Sequence, residues 1–370
     1  MSAPLAGLKV IELARVLAGP WAGQTLSDLG AEVIKVESPD GDDTRQWGPP
    51  FVDRGEERSA AYFHSTNRGK ASVVVDLRSQ EGQAKMHALL ADADILIENF
   101  KTGGLAKYGM DYATLSATFP KLIYCSITGF GQTGPYAHRA GYDFIIQGMS
   151  GLMSITGEAS GQPQKSGMAI TDIFTGIYST TAILAAVHQR ATTGLGQHID
   201  MALMDCAVAI TGNQGMNYLT TGQAPTRRGN AHPNLTPYEV FETSDGHLII
   251  ATGNDGQFQR LCSLLGLHDM VDDPLFTKNA DRVANRAQMN ARLNGATRLH
   301  ARDDLLQMCE KNTVPAGPIN TMEDAFNDPQ VIARGMQIEI DGVPGIRSPF
   351  NFSGAELSLN RSAPKLGEDD

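Results

Sequence analysis

From Gly7 to Ile127, short runs of strand-forming residues alternate with helical stretches, and this alternation limits the possible folds more than any other feature of the chain. Gly7-Leu-Lys-Val-Ile-Glu-Leu13 reads as a buried strand, Ala18-Gly19-Pro20 as the turn after it, Trp21 to Leu29 as a helix, and Ala31-Glu-Val-Ile-Lys-Val-Glu37 as a second strand. Strand, helix and strand within about thirty residues make a right-handed βαβ unit with parallel strands. The pattern recurs in a strand at Ser72 to Leu77, a helix at Gln80 to Ala91, a strand at Asp94 to Glu98 and a strand at Lys121 to Ile127. Four or five parallel strands covered by helices predict an α/β fold with a doubly wound, Rossmann-like sheet. Such sheets bind ligands beyond the carboxyl ends of the strands, where strand order reverses. Function is therefore expected in loops 14–20, 38–50, 77–79, 98–104 and 128–143. The first of these, Arg15-Val-Leu-Ala-Gly-Pro20, lacks the G-x-G-x-x-G spacing that lets a dinucleotide pyrophosphate approach a helix, which argues against a plain NAD enzyme.

A second region begins near Arg227. Tyr238 to Thr243 and His247 to Thr252 flank Ser244-Asp245-Gly246 as a β-hairpin, followed by helices over about 255–265, 281–298 and 302–311. The expected division is a large domain over 1–200 completed by 325–370, a smaller α+β domain over 226–320, and linkers at 200–226 and 320–340. A further hairpin is expected around Asp341-Gly342.

Thirty basic residues against forty-one acidic give a net charge of -11 with no basic block, so neither nucleic acid nor an anionic membrane surface is an expected partner. Cys125, Cys206, Cys262 and Cys309 are far apart and form no C-x-x-C pair, which argues against a structural metal site and a disulfide scaffold. Lys9, Glu12 and Arg15 interrupt the first apolar stretch, unlike a signal peptide. Ile173 to Val187, the longest uncharged apolar stretch of helical character, falls short of the roughly 20 residues that a bilayer requires. These readings predict a cytoplasmic protein without a metal or a membrane partner.

Asp172 lies in Lys165-Ser-Gly-Met-Ala-Ile-Thr-Asp172-Ile-Phe-Thr-Gly176, a lone carboxylate among small and apolar residues where a helical pattern starts. Two readings are open. Desolvation with few competing partners turns an ordinary acid into a nucleophile or proton-transfer group. Equally, Asp is a favoured N-cap, and Ile173 to Arg190 is the helix it would cap.

Ten phrases in order along the chain bear on the choice: Gly7-Leu-Lys-Val-Ile-Glu-Leu13, Leu17-Ala-Gly-Pro20, Leu29-Gly-Ala-Glu-Val-Ile-Lys-Val-Glu37, Gly41-Asp-Asp-Thr-Arg45, Glu98-Asn-Phe100, Gly129-Phe-Gly-Gln-Thr-Gly-Pro135, Ala140-Gly-Tyr-Asp143, Thr171-Asp-Ile-Phe-Thr-Gly176, Thr193-Gly-Leu-Gly-Gln197 and Ala316-Gly-Pro-Ile-Asn320. With these the chain resembles the class III CoA-transferases, the family of formyl-CoA transferase and carnitine CoA-transferase. Pro49-Pro50-Phe51 and Ala231-His232-Pro233 make it most similar to members that use succinyl-CoA and dicarboxylic acids, the glutarate type among them.

The resemblance implies that CoA moves from an acyl-CoA to a free carboxylate, with Asp172 as the nucleophile, through an aspartyl anhydride and an aspartyl-CoA thioester. It implies CoA contacts at Ala18, at Val75-Asp76-Leu77-Arg78, at Asn99-Phe100-Lys101, at Lys107 and at Ala140-Gly141-Tyr142-Asp143, with Arg78, Lys101 and Lys107 as phosphate counter-charges. Where formyl-CoA transferase has a glutamine and an adenine-side arginine, this chain has Leu17 and Ser38; Arg45 and Arg68 are the candidate replacements. Arg228-Gly229-Asn-Ala-His232-Pro233 stands where the family draws backbone donors for the oxyanion. Arg15, Arg227, Arg228 and His232 are candidates for the far carboxylate of a dicarboxylic substrate, because an arginine fork matches a carboxylate. The resemblance further implies an interlocked homodimer, with segments near 190–230 and 320–345 crossing between domains.

Two other functions share the pattern. α-Methylacyl-CoA racemases of similar sequence have a histidine where this chain has Tyr142, and a tyrosine with a reference pKa of about 10 is a poor base at neutral pH. A non-catalytic CoA- or nucleotide-binding protein would need no reactive carboxylate at position 172.

Overall fold

The computed structural model describes residues 2–55 and 57–370, which divide into two compact units. The first comprises the chain up to Leu152, Lys165–Gly215 and Pro329–Asp370. Its frame is β1 (Lys9–Leu13), α1 (Ala18–Asp28), β2 (Glu32–Glu37), β3 (Ala71–Val74), α2 (Gln80–Leu90), β4 (Ile95–Glu98), β5 (Ile123–Thr128), α3 (Asp143–Met149), α4 (Ile170–Thr193) and β6 (His198–Ala202). The six strands form one sheet in the order β3-β2-β1-β4-β5-β6, and every pairing is parallel. Helices on both faces explain why the inner strands read as continuous apolar runs. Val10 packs with Leu26, Ile95, Ile123 and Ile183 on one face, and its neighbour Ile11 with Val36, Met86, Leu96 and Leu115 on the other.

The sixth strand corrects the expectation of four or five. His198-Ile-Asp200-Met-Ala202 alternates polar and apolar residues, as an edge strand does, and so lacks an inner strand's continuous run. From β1 the chain moves outward to β2 and β3, then returns to β4, β5 and β6 on the other side. The strand order therefore reverses between β1 and β4, which opens the ligand crevice over their carboxyl ends.

Helix α4 begins at Ile170 rather than Ile173 and runs for 24 residues. Among the described residues it is the one helix long and apolar enough, by length and composition alone, to cross a membrane, where the sequence reading stopped short at Val187. Its buried face carries Thr171, Thr175, Gly176, Ser179, Thr180, Ile183 and Ala186. Gly176 lets it approach α1 closely: a Cβ there would sit 2.8 Å from Ala18 O and 2.9 Å from Trp21 Cβ.

The expected 200–226 linker contains the end of β6 and a helix at Leu203–Ala209. Beyond it, Gln337–Ile340 and Val343–Ile346 form the hairpin around Asp341 and Gly342, whose φ values of 54° and 74° suit a two-residue hairpin turn.

The second unit comprises residues 153–164 and 216–328. β7 (Tyr238–Glu242), β8 (His247–Ala251) and β9 (Ala316–Pro318) form an antiparallel sheet with β8 central. Helices α5 (Asp255–Leu264), α6 (Arg286–Thr297) and α7 (Arg302–Lys311) complete a core around Phe241, Leu248, Phe258, Leu293 and Leu305. The helix expected over 281–298 is two, Asn279–Ala284 and α6, separated at Asn285.

Candidate active site

The crevice is tied across its mouth by Asn99, just past β4. Its Oδ1 accepts the Arg15 amide at 3.1 Å and its Nδ2 donates to the Arg15 carbonyl at 2.6 Å, which fixes the backbone that follows β1. The next residue, Val16, has φ 73°, a region that β-branched residues rarely enter. Asp42 helps hold it there, with carboxylate oxygens 3.3 and 3.4 Å from the Val16 amide. Asp42 also accepts the Thr44 amide and hydroxyl and pairs with Lys35 Nζ at 2.9 Å. Lys35 reaches Ala14 O at 2.8 Å and Glu12 at 3.2 Å, and the second Glu12 oxygen lies 2.7 Å from Lys70 Nζ. Two carboxylates and two ammonium groups, all buried, thus balance beneath the loop. Burial alone would lower the Lys35 pKa, but Asp42, Glu12 and Glu37 outweigh it and hold the ammonium above the usual lysine range.

Asp172 is the third residue of α4, and the N-cap position belongs to Ala169, which offers no side-chain bond. The capping reading of Asp172 is thereby corrected. The terminus is satisfied from 28 residues away by Asp143, the first residue of α3, whose Oδ1 accepts the Thr171 amide at 2.9 Å and the Thr171 hydroxyl at 2.6 Å. Asp143 Oδ2 accepts Gln147 Nε2 at 2.7 Å. Among the described residues the half-buried Asp172 carboxyl has no hydrogen-bond or ion-pair partner, and burial, with the Asp143 charge beside it, pushes its pKa up to about 7. Asp172 and Gly176 are four residues apart and share a helix face, so the close approach at Ala18 places the carboxyl toward the start of α1.

Tyr62, half-buried and edge-on to Trp47, shares this field: burial, then Asp172, Asp143 and Asp42, raise its hydroxyl pKa to about 12. Sequence reasoning missed it, because Ala-Tyr-Phe-His carries no chemical signature and its relation to Asp172 exists only in the fold.

The residues assigned to CoA lie on the carboxyl side of the sheet, after β3, β4 and β5. Ala18 starts α1 and is buried, as are Val75 and Leu77. Arg78 is paired with Asp76, at 2.8 Å and 3.1 Å, so its charge is already answered within the motif. Lys101 is exposed, and Lys107 Nζ lies 4.7 Å over the Tyr108 ring; among the described residues neither has an ion-pair partner. Phe100 and Tyr142 are exposed and Ala140 is on the surface, while Gly141 packs so tightly on Gly129 that a Cβ would meet its Cα at 2.8 Å. Arg45 and Arg68 cannot replace the missing adenine-side arginine. Arg45 is buried against Glu37 and Glu57, and Arg68 against Asp28.

Arg15 projects its guanidinium to Asp43 at 2.6 Å. The other substrate candidates belong to the second unit. Arg227 donates to the carbonyls of Glu158 and Gly161, and Arg228 is exposed. The Gly229 amide is bonded to Gly157 O at 3.1 Å, so it is not a free oxyanion donor. His232 accepts the Asn234 and Leu235 amides on Nδ1, both at 3.1 Å, and burial together with Arg286 lowers its pKa. It stays neutral and offers a carboxylate one N–H rather than a charge.

The chain belongs to CoA-transferase family III, whose sequence profile matches residues 5–370. It is an enzyme that transfers CoA. It is 58% identical to succinate–glutarate CoA-transferase of Agrobacterium fabrum over 99% of this chain and 93% of that protein. It is 41% identical to mouse succinyl-CoA:glutarate CoA-transferase over 99% of this chain and 84% of that one. A CAIB/BAIF family protein of Brucella suis superposes with a TM-score of 0.90 at 60% identity, covering 100% of this chain and 97% of that one.

Proposed function

We propose that the enzyme moves CoA from succinyl-CoA to a short dicarboxylic acid, glutarate foremost, with Asp172 as the covalent relay. The observation that carries the relay is the Asp172 carboxyl itself, half-buried at the start of α4 and without a hydrogen-bond donor among the described residues. The names of the relatives support the substrate pair.

In the first step a carboxylate oxygen of Asp172 attacks the thioester carbonyl. The carbon–sulfur bond breaks, and a mixed anhydride and free CoA thiolate result. The thiolate then attacks the aspartyl carbonyl of the anhydride, releasing succinate and leaving CoA on Asp172 as a thioester. The acceptor carboxylate attacks that thioester, expels the thiolate and forms a second anhydride. Thiolate attack on the acceptor's carbonyl gives the new acyl-CoA and restores Asp172. The α4 N-terminus favours the returning anion. Arg15, on a backbone fixed by Asn99, is the candidate partner of the acceptor's distal carboxylate.

The enzyme is also proposed to work as an interlocked pair of chains, which the exposed apolar residues Phe144, Ile145, Ile177, Tyr178 and Val208 support. Sedimentation that finds a folded monomer at low concentration would refute the pairing.

The substrate reading is tested by supplying succinyl-CoA and a panel of free acids and identifying the products by mass. Glutaryl-CoA and succinate should form far faster than butyryl-CoA, since a distal-carboxylate site left unpaired discriminates strongly. Equal kcat/KM for glutarate and butyrate would exclude a dicarboxylate site. The relay is tested separately by borohydride or hydroxylamine trapping of the acylated enzyme. The adduct should map to the peptide containing Asp172, and a label on any other residue overturns the mechanism.

A further inference from the structure

Arg15 and Asp43 meet across the loops that follow β1 and β2, with Arg15 Nη1 2.6 Å from Asp43 Oδ2. Both side chains are more than half exposed, yet both stand on fixed backbone. On one side Asn99 takes the Arg15 amide and carbonyl. On the other, Asp43 opens a 3-10 turn (Asp43–Gln46) capped by Asp42, whose own amide donates to the buried Glu37 carboxylate at 2.9 Å. Arg45, from the same turn, grips that carboxylate with Nε at 2.9 Å and Nη2 at 2.7 Å. The Arg15–Asp43 pair is one-sided: among the described residues, Nε and Nη2 of Arg15 have no partner. We infer that Asp43 is a positioning residue that sets the preference for dicarboxylic acceptors, by holding Arg15 along one edge and leaving the other for the acceptor's distal carboxylate. The inference rests on the assignment of Arg15 to that carboxylate.

A guanidinium is a planar fork of donors, and a carboxylate fits it best through two parallel bonds. With Nη1 taken by Asp43, the edge formed by Nε and Nη2 remains whole and can still meet a carboxylate in that way. An exposed arginine otherwise samples many rotamers, and stilling it at the moment of binding costs affinity. Asp43 stills it beforehand. An exposed ion pair adds little to the stability of the fold, but it is enough to bias the rotamers of a side chain whose backbone is already fixed. Asp43 also repels an incoming anion, an effect that solvent and salt screen at so exposed a site, while the bond that aligns Arg15 acts at contact. A monocarboxylate has no second group for Arg15 to meet, so it gains nothing from the alignment. The distal carboxylate takes no part in bond making, and the effect therefore falls on acceptor binding rather than on kcat.

The experiment uses the full-length enzyme with saturating succinyl-CoA. It measures kcat and KM for glutarate and for butyrate in Asp43→Ala, Asp43→Asn, Arg15→Gln and the double variant of Arg15→Gln with Asp43→Ala. Asp43→Ala should raise the glutarate KM about fivefold, with kcat changed less than about twofold, and should lower the glutarate-to-butyrate ratio of kcat/KM by the same factor. Asp43→Asn keeps an oxygen for Nη1 and should stay within about twofold of the parent. The double variant should be no worse with glutarate than Arg15→Gln alone, as expected of two residues on one path. A glutarate KM that is unchanged or lower in Asp43→Ala, an equal loss with both acids, or additive effects would each overturn the inference. If Arg15→Gln keeps the parent's preference for glutarate, the assignment of Arg15 fails and the inference with it; if Arg15→Gln loses the preference while Asp43→Ala keeps it, only the role of Asp43 fails.

Discussion

Asp143 holds the Thr171 amide at 2.9 Å and so supplies, from a separate helix, the capping bond that Asp172 would otherwise make to its own. A capping carboxylate is stabilised as an anion by the amides it accepts and is a correspondingly poor nucleophile. With Asp143 as acceptor, Asp172 keeps the position at the helix start without the hydrogen bonds. Burial raises the Asp172 pKa most and the Asp143 charge adds to it, so one residue both takes over the capping bond and contributes to the basicity of the Asp172 carboxyl.

Transfer should therefore depend on pH with a limb near 7. In the proposed relay the reactive form is the Asp172 anion, and the pKa of this carboxyl is pushed up to about 7. Below that pH the rate should fall about tenfold per unit, read from kcat/KM between pH 5 and 8.

Stability should show the opposite sign. A carboxyl whose folded pKa is raised favours folding at low pH and loses that contribution as pH rises from its unfolded value toward 7. Asp172→Asn removes the cost of the buried anion. At pH 8 the variant should be more stable than the parent by about 1 kcal/mol, after allowance for solvent screening and for the helix terminus. The difference should vanish near pH 4, as followed by thermal unfolding at both pH values, and its turnover should fall to a few percent or less.

Substitutions at Asp143 should separate its two roles. Asp143→Asn retains an oxygen for Thr171 and removes the charge, so the acid limb should move to lower pH with little loss of stability. Asp143→Ala removes the cap as well and should cost about 1 kcal/mol. A limb that stays in place in Asp143→Asn would show that burial alone sets the Asp172 pKa.

Gly176→Ala should be destabilising although alanine favours helices by roughly 1 kcal/mol. The new Cβ would meet Ala18 O at 2.8 Å and Trp21 Cβ at 2.9 Å, neither of which is the end of a flexible side chain. Overpacking of this kind costs about 1–3 kcal/mol. Since α4 must shift to relieve it, turnover should fall more than a loss of stability alone explains, as measured well below the melting temperature.

Lys35→Met should cost about 3–5 kcal/mol at pH 7, because Asp42 and Glu12 lose a buried partner. For Asp42, burial raises the pKa, but Lys35 and the hydrogen bonds from Thr44 together outweigh it, and the net shift is downward. Its contribution to stability is thus present above the unfolded value of 3.8 and lost as pH falls through the folded one. The gap between parent and variant in urea unfolding should narrow in acid.

The inner sheet was legible because parallel strands covered on both faces announce themselves as apolar runs, as at Lys9–Leu13 and Ile95–Glu98. Strand β6 was not, since an edge strand with His198 and Asp200 breaks that signal. Asp172 stood out as a carboxylate in an apolar stretch, but the residue that distinguishes cap from nucleophile is Asp143, and only tertiary structure brings it to Thr171. Glu12 was read as an interruption of the first apolar stretch, whereas it and Lys35 are both fully buried and paired. Charge pairing between strands leaves no periodic trace in the sequence, and so a whole layer beneath the crevice went unseen.

That layer has a bearing on how the sheet is assembled. Glu12 on β1 faces Lys35 on β2 in register, while Asp42 follows β2 and Lys70 immediately precedes β3. Sliding β1 by a single residue would turn Glu12 to the opposite face and leave both lysines without it, a fault of several kcal/mol in a dry interior. Shape alone would not refuse the error, because Val10 and Ile11 are near equals in size and either could fill the other's place. The ion cluster therefore serves as a register lock for the first three strands, in which mispaired arrangements are rejected by uncompensated charge.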